Sequence, residues 1–212
     1  MDTFTFDLNK FRKESKNTLL NPDKYFTNIS LSGGFSEPIG KSIAFGILTG
    51  LVYLICWFFR IRSFGSGYIG EAVGFLAFIK IIIVTATGSG IVALILSLFS
   101  VFCNGNSGFE ANYRVTCSLM AILPVYAVLS ISWEINFYLG LCFTTIVWVY
   151  ILWLMFYAMT KALKCRKKNI KILISGFLVV ILLFIFLDLW SNAKKKNPDN
   201  QPDKPAKEIK KR

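Results

Sequence analysis

Residues 105–115, GNSGFEANYRV, set an acid and a base four positions apart, Glu110 and Arg114, and two aromatics at the same interval, Phe109 and Tyr113. At helical spacing each pair shares a face, so the carboxylate can meet the guanidinium within one turn, worth about 0.2–0.5 kcal/mol when exposed. Ser107 precedes Glu110 by three residues, the spacing of a capping box, which predicts a helix start near Gly108. Pro124 follows once the run has turned apolar. It removes a backbone donor, so the helix must bend and neighbouring spans are expected to satisfy the freed carbonyl. Such residues offer recognition chemistry, with charges to set register and rings to anchor a partner at a membrane boundary; the same rings would equally well only pin the helix in the headgroup layer.

Catalysis has little to work with. The 212 residues include no histidine, and the carboxylates stand singly, which removes the usual proton shuttle and the commonest metal ligand. Cys56, Cys103, Cys117, Cys142 and Cys165 show no C-x-x-C spacing and read as small apolar packing residues. Cys103 and Cys117 flank one loop and would pair only in an oxidising compartment, against the orientation derived below. No catalytic residue, metal or cofactor is expected.

Small residues within the apolar runs carry the remaining signal, because helices in lipid associate by close backbone approach. Gly46 and Gly50 form a GxxxG. Residues 85–90, TATGSG, run from Thr85 to Gly90 and hold Gly88. As a tight crossing, Gly88 and Gly90 would face a neighbouring helix. Unwound, the same stretch would form the polar constriction of a small transporter or channel. The absence of an intramembrane carboxylate beside it favours the crossing.

The elements that must position these residues are membrane spans. Apolar residues make up 54% of the chain and aromatics 16%, more than one soluble core of this length hides. A bilayer core about 30 Å thick takes roughly 20 helical residues, and runs at 39–59, 81–102, 115–132, 135–160 and 170–190 approach that. The fold class is all-α: a polytopic integral membrane protein, a bundle of five transmembrane helices with an amphipathic N-terminal segment. Residues 1–38 form that segment, 39–190 the transmembrane domain, and 191–212 a disordered basic tail. The first apolar run begins at Ile39, after charged residues and a proline, unlike a cleaved signal peptide.

In the first segment Phe4, Leu8, Phe11 and Leu19 recur at roughly helical spacing with Lys10, Arg12, Lys13 and Lys16 among them. That describes a helix lying on a membrane surface, or a solvated helix equally well. Asn21-Pro22 starts a second short helix, Gly33-Gly34 turns the chain, and Ser36 caps the first span with Glu37 and Pro38 in its first turn. Trp57, Trp133 and Trp190 fall near span ends as an aromatic belt, and Lys80 can snorkel to the headgroups. The tail's eight basic and three acidic residues would draw it to anionic lipid. Without aromatic interleaving or a binding fold, it gives no reason to expect nucleic acid.

The pattern GFxxNYRV, followed by a helix with a mid-span Pro124 and then Tyr126, resembles the signature of the Yip-domain family (Ypt-interacting proteins) in its short prokaryotic-like form. NPDKYFTNISLSGGFSEPIGKSIAF is similar to the segment that precedes the first span in prokaryotic members, and YAMTKALKCRKKNIK to the basic stretch before the last. The resemblance covers residues 21–190. It implies five spans and a non-enzymatic scaffold or adaptor. Eukaryotic members imply binding to Rab-type GTPases and partner Yip proteins in membrane trafficking. The long acidic amino-terminal region of those members has no counterpart here, which puts Rab binding in doubt. Membrane lipids and other integral membrane proteins are the expected partners, with a homo-oligomer allowed; Phe109, Glu110, Tyr113, Arg114 and Pro124 are the expected signature, and Gly46, Gly50, Gly88 and Gly90 the packing glycines.

Five spans put the termini on opposite faces. Thirteen basic residues fall on the amino-terminal side and eleven on the other, a narrow margin for the positive-inside rule. The short loop KALKCRKK and the family's expected topology both favour an amino terminus in the cytoplasm and a tail outside, in a prokaryotic cell (inner) membrane.

Overall fold

The computed structural model describes residues 7–59 and 74–196, with side chains through Trp190. Every regular element among the described residues is helical. Helix α1 (Leu8–Leu20) starts where the Asp7 carboxylate accepts from the backbone N–H groups of Asn9 and Lys10, at 2.8 and 3.1 Å, a cap worth about 1 kcal/mol. Pro22 opens α2 (Pro22–Asn28), where its fixed φ suits the first turn and its missing N–H costs nothing. Gly33 and Gly34 then reverse the chain at φ of 126° and 86°, a region that glycine enters without penalty.

The spans follow as α3 (Ser36–Phe58), α4 (Phe75–Phe102), a segmented third span of α5 (Phe109–Leu119), α6 (Ile122–Leu129) and α7 (Ser132–Ile135), then α8 (Phe137–Tyr157) closed by a π-helical turn, Ala158–Ala162, and finally α9 (Lys167–Lys196). Among the described residues five stretches, Ser36–Phe58, Phe75–Phe102, Phe109–Ile135, Phe137–Ala162 and Lys167–Trp190, are long and apolar enough to cross a membrane. The protein is an all-α polytopic membrane protein. Helix α9 runs to Lys196, six residues beyond the expected end of the last span. Residues 197–212, where the rest of the expected disordered tail falls, and Phe4 lie outside the described residues.

The third span breaks before its proline. Pro124 is the third residue of α6, and the carbonyl that its N–H would have reached, that of Met120, accepts instead from the Leu123 N–H at 2.9 Å. The freed acceptor is satisfied by this tighter local turn, where a neighbouring span was expected to supply the donor.

Helix α3 packs along α4, α4 against α5, α6 against α3, and α8 against α7 and α9. Because successive spans alternate in direction, the starts of α3, α5 and α9 gather at one end with the end of α4 and the π turn. Helix α2 plugs that end. Its Phe26 is fully buried among Cys103, Val115, Met159, Leu163 and Ile170, so residues 22–28 belong to the bundle core. Two loops are tied there by the Asn106 N–H to Leu163 carbonyl bond, 2.7 Å, and the Arg166 N–H to Cys103 carbonyl bond, 2.9 Å. Gly105 lies so close that an added Cβ would overlap Cys165 Sγ and meet the Leu163 carbonyl at 2.8 Å. Helix α1 turns Phe11 inward onto Phe45, ring centroids 4.8 Å apart, while Leu8 and Leu20 stay exposed. Its apolar face thus looks partly at the bundle.

Candidate functional site

Three helices bring opposite charges at i, i+4 spacing to this end: Lys10 and Glu14 on α1, Glu37 and Lys41 on α3, Glu110 and Arg114 on α5. They interlock into one network. Arg114 Nη1 donates to Glu37 Oε2 at 3.1 Å and Nε to Glu110 Oε1 at 3.4 Å. Its Nη2 donates to the Gly34 carbonyl at 2.8 Å, and the Gly34 N–H donates back to Glu110 Oε1 at 2.7 Å. Glu37 Oε1 also meets Lys10 Nζ at 2.9 Å and Lys41 Nζ at 3.2 Å, and Lys41 reaches Glu14 Oε2 at 2.6 Å.

The Arg114 side chain is only 6% exposed, so this is not the exposed helix pair that the spacing alone suggests. The Glu37 and Glu110 carboxylates are about a third exposed, so removing Arg114 costs less than the ~3–5 kcal/mol of a fully buried pair and more than a surface pair. The Asp23–Lys161 pair, 2.7 Å, ties α2 to the π turn from a solvated position and contributes about 0–1 kcal/mol.

The expected caps are replaced. No side-chain cap forms at the start of α3 or α5. Phe35 takes the position expected of Ser36, and Gly108, whose N–H donates to Asn106 Oδ1 at 3.0 Å, stands where Ser107 was to act. Glu110 is free of the box because it reaches across to Gly34. Asn112, fully buried, donates through Nδ2 to the carbonyls of Asn106 and Gly108 at 3.0 and 2.8 Å and holds the loop before α5.

The two aromatics separate in role. Phe109 and Tyr113 stack at 5.8 Å, and Phe35 lies 6.0 Å from the first ring and 5.9 Å from the second. Tyr113 is 7% exposed, whereas Phe109 and Phe35 are 40% and 43% exposed. The pair available to a partner is therefore Phe35 with Phe109, and Tyr113 is the ring beneath them.

Of the packing glycines, Gly46 and Gly50 face α4: an added Cβ would meet Ile82 Cα at 3.1 Å and the Phe78 ring at 2.8 Å. Around Gly88 and Gly90 a Cβ would find nothing within 4 Å, so these two do not mark the crossing. Residues 85–90 are helical throughout. Thr85 and Ser89 supply the buried face, Thr85 against Gly46, and Ser89 donating to the Ala86 carbonyl at 2.6 Å beside the Tyr113 hydroxyl at 3.3 Å.

Cys103 and Cys165, in the loops that join the spans at this end, are buried free thiols, and burial pushes both above the usual thiol range. Between α1, α2 and the first turns of α3 and α5 lies a cavity of about 520 Å³ whose walls include Lys13, Lys24, Lys41 and Arg114.

The family model of the Yip1 domain matches residues 16–189. The chain belongs to the Yip1-domain family. No curated protein and no solved structure matches it. The Yip1 match takes in Glu37, Lys41, Glu110 and Arg114 and starts after Lys10 and Glu14. The sequence singles out Glu110 and Arg114 but not Glu37 as the partner of Arg114, nor Lys41 as the partner of Glu37. The visible signal was the repeated i, i+4 opposite-charge spacing on three helices of this Yip1-domain protein, and it gave no hint that the pairs meet.

Proposed function

We propose that this Yip1-domain protein is a non-enzymatic membrane scaffold or adaptor that docks other integral membrane proteins at the end built by α1, α2 and the start of α5. Its role is in membrane trafficking or organisation, with that end at the cytoplasmic face of a prokaryotic cell membrane. The observation that carries this reading is the exposed ring pair of Phe35 and Phe109 packed on buried Tyr113, next along α5 to the buried Arg114 that ties Glu37 and Glu110 together. Rings held on a fixed base lose little freedom on binding, which is how aromatic anchors concentrate affinity. Family membership supports a membrane role without supplying a partner.

The test replaces Phe35 and Phe109 together by Ser and compares cross-linked, quantified membrane partners of wild type and variant after mild-detergent extraction, with thermal unfolding measured alongside. Loss of specific partners at unchanged unfolding temperature is the expected result. Unchanged partners, or a loss that tracks unfolding, would overturn the docking reading and leave the rings as lipid-facing anchors. Tyr113 and Arg114 make poor probes because both are buried.

A further inference from the structure

We infer that the cavity between α1, α2 and the first turns of α3 and α5 is a binding site for the phosphate-bearing headgroup of an anionic phospholipid. The proposal is independent of the adaptor reading, since it uses the cavity and not the ring pair. Five cations line it, Lys10, Lys13, Lys24, Lys41 and Arg114. Two carboxylates face them, Glu14 and Glu37, with Glu110 behind Arg114 as a third. Even with all three counted, the walls keep an excess of two positive charges.

That excess is carried by exposed side chains, Lys13 and Lys24, while Lys41 and Arg114 are largely buried. Lys41 and Arg114 are spent on Glu14, Glu37, Glu110 and the Gly34 carbonyl, and Lys10 leans on Glu37. Lys13 and Lys24 make no ion pair among the described residues. The cavity thus has a neutralised floor and a cationic rim. The side chains of Asn17 and Asn21 add amide donors to the lining, suited to phosphate-ester oxygens.

Position selects lipid over a dissolved anion. Glu37 and Lys41 lie in the first two turns of the first span and Arg114 in the second turn of the third, so the cavity opens at headgroup depth. There the local anion concentration is set by the leaflet, and basic side chains are drawn to it. The wall is partly apolar, with Ile29 and Pro38, and about 520 Å³ accommodates a glycerophosphate group whose acyl chains remain in the bilayer.

The experiment uses the full chain in mild detergent. Short-chain phosphatidylglycerol, short-chain phosphatidylcholine, glycerol 3-phosphate and inorganic phosphate are each titrated while binding is followed by native mass spectrometry and by the rise in unfolding temperature. The pocket variant combines Lys13→Gln and Lys24→Gln. A control combines Lys167→Gln and Lys168→Gln, which removes the same charge from exposed lysines in the first turn of α9 at the same end. Expected are tighter binding of phosphatidylglycerol than phosphatidylcholine, and a loss of at least about fivefold in the pocket variant, from the usual worth of a basic side chain near an anionic surface. The control should shift binding by less than about twofold. The pocket variant's unfolding temperature without lipid should match wild type, since neither lysine holds an ion pair. Equal loss in both variants would reduce the effect to diffuse charge and overturn the site. No preference between the lipids would overturn it as well. Displacement of phosphatidylglycerol by equimolar phosphate or glycerol 3-phosphate would assign the cavity to a soluble anion and overturn the lipid.

Discussion

In the third span, Phe109–Ile135, half of the apolar stretch lies inside the bundle, against 6% in the last span, Lys167–Trp190. The buried span is the polar one. Eight successive residues of α5, from Ala111 to Ser118, are buried, and they include Asn112, Arg114, Thr116 and Ser118. Much of α9 exposes Val, Leu and Phe, among them Val179, Leu183 and Phe184. In water the order would be reversed. In lipid an apolar helix gains little by leaving the acyl chains, so the centre goes to the helix whose small and polar groups find partners there. Apolarity told where the chain crosses, and polarity told which crossing matters.

The largest test of that contrast is at Arg114. Arg114→Ala leaves Glu110 without its cation and Glu37 with Lys10 and Lys41 alone, and it frees the Gly34 carbonyl. Stability in detergent should fall by about 2–4 kcal/mol, read from thermal unfolding, since the carboxylates left behind are a third exposed. Arg114→Lys keeps the charge but not the three-way fork, and should recover only part of the loss. A loss below about 1 kcal/mol for Arg114→Ala would place the residue among ordinary surface pairs.

Next in size are the glycines. Gly33→Ala meets two obstacles, since φ is 126° and the new Cβ would lie 2.9 Å from Arg114 Nη2. It should cost about 1–3 kcal/mol and weaken the same network. Gly50→Leu must push Phe78 aside and should cost a similar amount, whereas Gly88→Leu enters open space and should cost almost nothing. Thermal unfolding of the three variants side by side checks the order. A large loss at Gly88 would mean that this face of α4 is covered in the membrane.

How much of this was legible follows from the range of each interaction. The five spans were, because length and apolarity are local properties. The turn at Gly33-Gly34, the short helix after Asn21 and the Glu110–Arg114 spacing were local too. The network was not. Its decisive bonds run from Arg114 back to Gly34 and Glu37, across 80 and 77 positions, and nothing in the spacing of residues 105–115 announces them. The same long contact explains why Ser107 and Glu110 form no capping box and why Tyr113 lies under Phe35. Gly46 and Gly88 look alike in sequence, yet only the first has a helix opposite it.

A smaller effect is expected at Cys103 and Cys165. Their thiols are buried, and burial raises both above the ordinary value of 9.0. A raised thiol pKa means that the folded state holds its proton longer than the unfolded one. That contribution is intact below pH 9 and fades as pH rises through the folded value. Labelling with a maleimide at pH 7 should therefore be slow in the folded protein. Gly105→Val, which drives into Cys165, should speed it. Rapid labelling of both thiols in the wild type would show that the plugged end opens readily.

The smallest effect should come from α9. Leu183→Ala and Phe184→Ala remove large side chains that are 56% and 63% exposed in the bundle, so they leave no cavity behind and lose only contacts that lipid or detergent can replace. Each should change stability by less than about 0.5 kcal/mol, the range of substitutions away from packed features. The comparison with Arg114→Ala is then at its sharpest: two spans of one bundle, one intolerant of a single polar change and the other indifferent to losing its bulk. The measurement is thermal unfolding at two protein concentrations. If either α9 variant loses more than about 1 kcal/mol, and loses it only at the higher concentration, the face is buried against a second copy of the chain. The bareness of the last span would then be that of a subunit surface, and the contrast would hold within the monomer alone.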